Sequence, residues 1–162
     1  MTTLCPPTLL TDGHELAAFD SGVASLDEWL KRRARANQLS GASRTYVVAQ
    51  DSMVVGYYCL ASGAIAMTEA PLALRRNMPD PIPMTVLGRL AVDRHQHGKG
   101  LGTALLQDAV LRTAQAAAIV GARGVLVHAL SEPAKVFYER YGFIPSPTNP
   151  MTLVLSLKGV RA

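Results

Sequence analysis

The chain has 162 residues, 49% hydrophobic by type and 17% charged, with 16 Lys and Arg against 12 Asp and Glu. That length suits one domain with a full core, and that composition excludes a disordered or fibrous chain. The net charge of +4 and a pI near 9.3 favour an anionic partner, whether nucleic acid or a phosphorylated small molecule.

No apolar run reaches about 18 residues, the length of a membrane span. Met1 to Leu10 lacks a charged start before an apolar stretch, so neither an anchor nor an export signal is expected. Cys5 and Cys59 have no metal-ligand spacing, and two thiols in a chain this size suggest a reducing cytoplasm.

In chain order, Thr8 to Leu10 reads as a short strand. Ser25-Leu26-Asp27-Glu28 has the form of a capping box and predicts a helix to about Asn37. Leu26, Trp29, Leu30 and Ala34 fall on one face, and Lys31, Arg32 and Arg35 make the opposite face basic. Arg33 falls inside the apolar arc, either as a snorkelling stem or as a guanidinium aimed into a cleft. Ser43 to Gln50 and Val54 to Ser62 predict a hairpin around Asp51-Ser52-Met53, with Ala64 to Met67 extending its second strand. Ala70 to Arg76 can form a turn or two of helix. Asn77 to Met84, with Pro79, Pro81 and Pro83, predicts an extended loop.

Val86 to Val92 reads as a strand in which Gly88 marks a bulge or a close backbone approach. Asp93-Arg94-His95-Gln96-His97-Gly98-Lys99-Gly100-Leu101-Gly102 follows, and then a largely apolar helix to about Ala122. Asp108 and Arg112 on that helix are spaced as a structural i,i+4 pair. Strand, basic glycine-rich turn, helix is the layout of an anion site: backbone N–H groups converge at a helix start, and Arg94 and Lys99 add full charges. The turn is neither a Walker A loop nor G-x-G-x-x-G. Gly124 to Ala129 is a short buried strand. Ser131 caps a helix to about Tyr141 that ends at Gly142. Phe143 to Pro145 and Thr152 to Leu157 close the chain as a hairpin. The whole predicts an α/β mixed sheet with helices on both faces, in a single domain over 1–162.

The turn His97-Gly98-Lys99-Gly100-Leu101-Gly102 resembles the acetyl-CoA pyrophosphate loop of GNAT acetyltransferases, Gln/Arg-x-x-Gly-x-Gly/Ala, with His97 departing from the pattern at the first position. Ala134-Lys135-Val136-Phe137-Tyr138-Glu139-Arg140-Tyr141-Gly142-Phe143 resembles that family's Ala-x-x-Phe-Tyr-x-x-x-Gly-Phe. The resemblance implies the GNAT fold, with a mixed, mostly antiparallel sheet, and acetyl-CoA as co-substrate. It implies that Leu90, Ala91, Val92, His97, Gly98, Lys99, Gly100, Leu101, Gly102, Thr103 and Phe137 bind that co-substrate. Tyr138 then faces the sulfur as general acid, with Tyr141 expected to pack. In that family the strand equivalent to Val86–Val92 carries a bulge whose N–H points at the thioester carbonyl. For a base, Asp93, His95, His128 and Glu132 qualify by type, and no spacing selects one. An aminoacyl ester's amine can instead react with only water and proximity. His95 and His97 do not make a metal site, His14 reads as a surface residue, and no metal is expected.

Phe19-Asp20-Ser21-Gly22 before Leu26-Asp27-Glu28-Trp29-Leu30 is similar to the opening of GNAT toxins of type II toxin–antitoxin systems, the TacT and KacT type. So are Leu87 to Asp93, Gly124 to Ala129, and the ending Phe143 to Pro147 with Pro150 to Leu153. That similarity implies acetylation of the α-amine of aminoacyl-tRNA, a block of translation, a homodimer, and a ribbon-helix-helix antitoxin as partner. Lys31, Arg32, Arg35, Arg75, Arg76 and Arg89 become the expected tRNA contacts. Two other readings remain open: a GNAT enzyme acting on protein or small-molecule amines, and a CoA-sensing or antitoxin-binding module without catalysis. The intact loop and Tyr138 speak against the latter.

Overall fold

The structure is a computed structural model and describes residues 4–160. Its elements are β1 (Thr8–Leu9), α1 (Ala24–Arg32), α2 (Ala34–Ser40), β2 (Arg44–Gln50), β3 (Met53–Ile65), α3 (Leu72–Arg75), β4 (Ile82–Val92), α4 (Leu101–Ala117), β5 (Gly124–His128), α5 (Glu132–Tyr141), β6 (Ile144–Pro145) and β7 (Thr152–Ser156). Among the described residues the strands form one sheet of seven in the order β1-β2-β3-β4-β5-β7-β6. β1 with β2, β2 with β3, β5 with β7 and β6 with β7 pair antiparallel. β4 and β5 pair parallel, Met84 opposite Gly124 through Leu87 opposite Val127. A parallel pair needs a crossover, and α4 supplies it. No described helix is long and apolar enough to cross a membrane. By contact density the chain divides into two units. The first is the chain through Ala61 with Gly88–Ala109; the second is Ser62–Leu87 with the chain from Val110.

The first unit packs Leu10, Leu16, Phe19, Leu26, Leu30, Ala34, Val47, Val54, Tyr57 and Ala91 together, with Trp29 against them. Leu30 is fully buried, and burial of such a side chain contributes about 1.5–3 kcal/mol. The capping box at Ser25 does not form. The helix begins at Ala24 with Val23 as N-cap and no side-chain cap bond. The reason is Asp27, buried on the inner side of the first turn. Its carboxylate accepts from the Ser21 N–H at 3.0 Å and the Ser21 hydroxyl at 2.6 Å, and this tether draws the chain into the helix early.

The expected single helix is two. At Arg33 the backbone departs to φ −122°, ψ −29°, although the Arg33 N–H still reaches the Trp29 carbonyl at 2.8 Å. A straight helix would carry the cation into the apolar arc, at a desolvation cost. The kink leaves Arg33 exposed and Ala34 buried.

The second unit gathers Ile65, Ala70, Leu74, Ile82, Met84, Leu126 and Val154, with Met67, Met78 and Val86 against them. β3 runs past Gly63 to Ile65, in line with the expected extension. The expected loop to Met84 is shorter, because β4 already begins at Ile82 and includes Pro83. Proline is tolerated near a strand's start, and here its carbonyl accepts the Arg123 N–H at 2.8 Å. At Gly124 a Cβ would lie 2.3 Å from the Leu155 carbonyl oxygen, so only glycine allows β5 this close to β7. α4 ends at Ala117, short of Ala122.

Candidate active site

The turn between β4 and α4 is a backbone device. Gly98 and Gly100 have φ of +77° and +80°, and a Cβ at either would meet nothing within 4 Å. Their positive φ favours glycine, and the space beside them is open. The Ala104 N–H bonds the Gly100 carbonyl at 3.1 Å. Helix geometry therefore leaves the N–H groups of Leu101, Gly102 and Thr103 without acceptors in the helix, at the positive end of a 17-residue dipole. Lys99 is exposed and has no carboxylate partner among the described residues. Gly56 on β3, which sequence reasoning passed over, sets the start of α4: a Cβ there would sit 3.0 Å from Leu105 and 3.3 Å from Leu101.

One carboxylate anchors the turn. Asp93 is buried and accepts from the His95 N–H at 3.0 Å and the Asp20 N–H at 3.1 Å. Its Oδ1 also lies 2.9 Å from His95 Nδ1. Burial alone would raise its pKa, but these hydrogen bonds and the His95 ring together hold it below the usual aspartate value. Such a carboxylate is a poor general base. Arg94 bonds Asp20 at 3.0 Å, so it is not the free charge expected of it; Lys99 is. His97 Nε2 donates to the Val92 carbonyl at 2.7 Å, which fastens the turn to the end of β4. Leu90 and Val92 are half-buried and Ala91 is buried.

Gly88 is a close-approach glycine, since a Cβ there would lie 3.0 Å from the Cys59 sulfur. Arg89 beside it stacks on Trp29, 4.6 Å from the ring centroid, a cation–π contact. Trp29 in turn stacks on Tyr57 at 6.0 Å. Burial raises the Tyr57 hydroxyl's pKa, so it stays neutral and donates to the Leu26 carbonyl at 2.6 Å. Burial also pushes the Cys59 thiol up, although Arg89 opposes this. Arg89 is therefore held by packing on β4.

In the second unit, α5 carries Phe137 and Tyr138. Ser131 Oγ caps it on the Ala134 N–H at 3.3 Å, and Gly142 ends it at φ 119°. Tyr138 is 8% exposed, set edge-on to Phe137 at 5.2 Å and to Phe143 at 5.4 Å. These contacts hold the buried ring in place. Tyr141 tilts against Phe143 at 6.2 Å, and burial raises its pKa. Of the other base candidates, His128 Nδ1 lies 2.9 Å from the Thr152 hydroxyl and Glu132 is exposed.

The cationic residues divide. Lys31, Arg32 and Arg76 are exposed. Arg35 is tied down: it donates to the His14 carbonyl at 2.5 Å and the Thr11 carbonyl at 3.1 Å, with Asp12 at 3.8 Å. Arg75 donates to the Ala70 carbonyl at 2.7 Å. Both hold their own loops, a role that helix-face geometry alone could not reveal.

A strand that hands over to an open glycine turn and a long helix, with an aromatic pair on a later capped helix, marks an acyltransferase that handles a phosphate-bearing donor. The acetyltransferase (GNAT) domain model matches residues 41–145, and the chain belongs to the GNAT acetyltransferases. It is 48% identical to the tRNA-acetylating toxin of Mycobacterium tuberculosis (strain H37Rv) over 162 residues, 100% of this chain and 98% of that one. Its fold is similar to that of AtaT complexed with acetyl-methionyl-tRNAfMet, at TM-score 0.90 and 30% identity over 98% of this chain and 97% of that one. It is also similar to an AtaT variant bearing a tyrosine-to-phenylalanine change, bound to the C-terminus of the antitoxin AtaR and acetyl-CoA. There the TM-score is 0.82 and the identity 31%, over 97% of this chain and 95% of that one.

Proposed function

We propose that the protein transfers the acetyl group of acetyl-CoA to the free α-amine of aminoacyl-tRNA and so blocks translation, as the toxin of a toxin–antitoxin pair. The observation that carries this reading is the open glycine turn at the start of α4. It occurs in a chain 48% identical, end to end, to a tRNA-acetylating toxin. Acetyl-CoA supplies the activated thioester. His97 through Thr103 hold its pyrophosphate with backbone N–H groups and the Lys99 charge, Leu90, Ala91 and Val92 flank the pantetheine, and Phe137 supports Tyr138. An ordinary tyrosine titrates near 10, above a thiol. Tyr138 is the group that gives its proton to the sulfur as the thioester bond breaks. The attacking α-amine titrates at about 7.7–8.0 as a free terminus, and an ester lowers it further, so proximity replaces a strong base.

Lys31 and Arg32, with Arg76 and Arg89, are the cations assigned to tRNA phosphates, and Arg35 and Arg75 act by holding loops. The likeness to antitoxin-bound AtaT supports an antitoxin partner. A ribbon-helix-helix class for it, a homodimeric toxin, a cytoplasmic setting and a single catalytic domain over the whole chain belong to the same proposal. The test is incubation with acetyl-CoA and total charged tRNA. N-acetylated aminoacyl-tRNA is the expected product. Acetylation of peptide amines with charged tRNA untouched would instead make the chain a GNAT enzyme of protein amines.

A further inference from the structure

In the second unit, Arg76, Asn77, Met78, Arg123 and Lys158 line a cleft of about 420 Å³, within the size range of small-ligand sites. Its frame is held by backbone bonds. The Arg123 N–H donates to the Pro83 carbonyl at 2.8 Å, and its carbonyl accepts the Leu157 N–H at 3.0 Å. The Lys158 N–H donates to Ser156 Oγ at 3.1 Å. Asn77 sits at φ +60°, a left-handed conformation that few side chains adopt without local hydrogen bonding.

Three cations line this cleft and no acidic residue does. Among the described residues, none of the three has a carboxylate within ion-pair distance. Arg123 is half-buried and only partly satisfied. A guanidinium carries five N–H donors, yet its acceptor among the described residues is the Ala73 carbonyl at 3.4 Å. Its Nε is buried without a partner. Like charges gathered around one cleft raise one another's energy, and an anion among them removes that cost.

We propose that this cleft is a phosphate-binding site, made of residues wholly separate from the His97–Thr103 turn. Arg76 and Arg123 present planar N–H pairs that match phosphate oxygens two at a time, and Lys158 adds a compact charge. The ligand is a phosphate group, either free or as the phosphodiester of RNA. The inference stands whether or not the chain acetylates tRNA.

Residue-resolved NMR of the full chain tests it, titrated with inorganic phosphate and, separately, with a short 5′-phosphorylated RNA. The amides of Asn77, Arg123 and Lys158 should shift saturably. Arg123→Gln should weaken that response about tenfold, and exposed Lys158→Gln, which cannot unfold a core, should weaken it severalfold. Response to phosphate and RNA alike assigns the site to a free phosphate. Response to RNA alone, falling steeply with salt, assigns it to a backbone phosphodiester. No shift at these amides with either probe, or unchanged affinity in both variants, would overturn the proposal.

Discussion

Two regions of the molecule offer donors to an anion, and they are built on opposite plans. The turn from Asp93 to Gly102 uses backbone N–H groups, set by two positive-φ glycines and one buried carboxylate within ten consecutive residues. The Arg76–Arg123–Lys158 cleft uses side chains brought from three distant stretches. The first is insensitive to most side-chain changes and fails when the backbone path is altered. The second reverses both sensitivities. A local backbone site can be read along the chain, whereas a side-chain site exists only once the sheet has folded.

The largest expected effect lies outside both regions, and it separates binding from chemistry. Tyr138→Phe removes a hydroxyl and leaves the ring that packs on Phe137 and Phe143. Turnover should fall by about 10²-fold, the scale of a lost general acid, while acetyl-CoA affinity and phosphate response at the cleft both persist. Growth inhibition on expression should fall in parallel. Tyr141→Phe should stay near wild type, since that ring tilts against Phe143 in a packing role. Steady-state kinetics with the reverse outcome would mean that the wrong tyrosine was chosen.

Next in size is a backbone lesion at the turn. Gly100 sits at φ +80°, so Gly100→Asp adds backbone strain and places a negative charge at the proposed pyrophosphate site. Calorimetry should find acetyl-CoA weakened at least tenfold, about 1.4 kcal/mol, with cleft amides still responding to phosphate. Unchanged affinity in a folded variant would remove the turn from the cofactor site.

Smaller again is charge reversal on α1. Lys31→Glu with Arg32→Glu should weaken charged tRNA severalfold and flatten its salt dependence, while sparing acetyl-CoA and acetylation of a short peptide amine. Arg35→Glu is not equivalent, because that guanidinium ties down the Thr11–His14 loop, and it should lower the melting temperature instead. Full toxicity in the double reversal would take α1 out of the tRNA path.

What was legible in the chain follows the same division. The glycine turn, the Ser131 and Gly142 caps, the two hairpins and the tyrosine helix rest on neighbours in sequence, and local rules located them. The early start of α1 rests on Ser21 bonding a buried Asp27, and the kink at Arg33 on which side chains face the core. The place of Pro83 in β4 rests on Arg123, forty residues on. Gly56 gave no signal as a lone strand glycine until Leu101 and Leu105 packed against it. Arg35 and Arg75 stand among the expected tRNA contacts because a helix face does not reveal a carbonyl that waits nearby.

The pH dependence of the turn is a finer probe. Asp93 has a pKa held below the ordinary value when folded, so the unfolded chain binds its proton first as pH falls. Asp93 therefore stabilises the fold fully above about pH 4, and that contribution is lost as pH drops through the folded pKa. Thermal melts from about pH 7 to about pH 3 should show a shallower acid loss in Asp93→Asn than in wild type. The variant should also start lower at neutral pH, because the amide cannot accept from both the His95 and Asp20 N–H groups as well. Parallel acid slopes would mean that Asp93 does not titrate with folding.

The smallest effect concerns His97, the departure from the family's Gln or Arg. The structure supplies a reason for the exchange: His97 Nε2 donates to the Val92 carbonyl at 2.7 Å, and a Gln amide or Arg guanidinium has a donor that can serve the same carbonyl. His97→Gln should therefore leave acetyl-CoA affinity within about twofold, under 0.5 kcal/mol. His97→Ala removes the donor and loosens the turn from β4. Its affinity should fall by the worth of one hydrogen bond, about 0.5–1.5 kcal/mol. Calorimetry on the three proteins, read as a ladder from His to Gln to Ala, separates this from a direct contact between the His97 ring and the ligand. A direct imidazole contact would put Gln and Ala at the same reduced affinity, and the side chain at position 97 would then belong with the side-chain donors of the cleft.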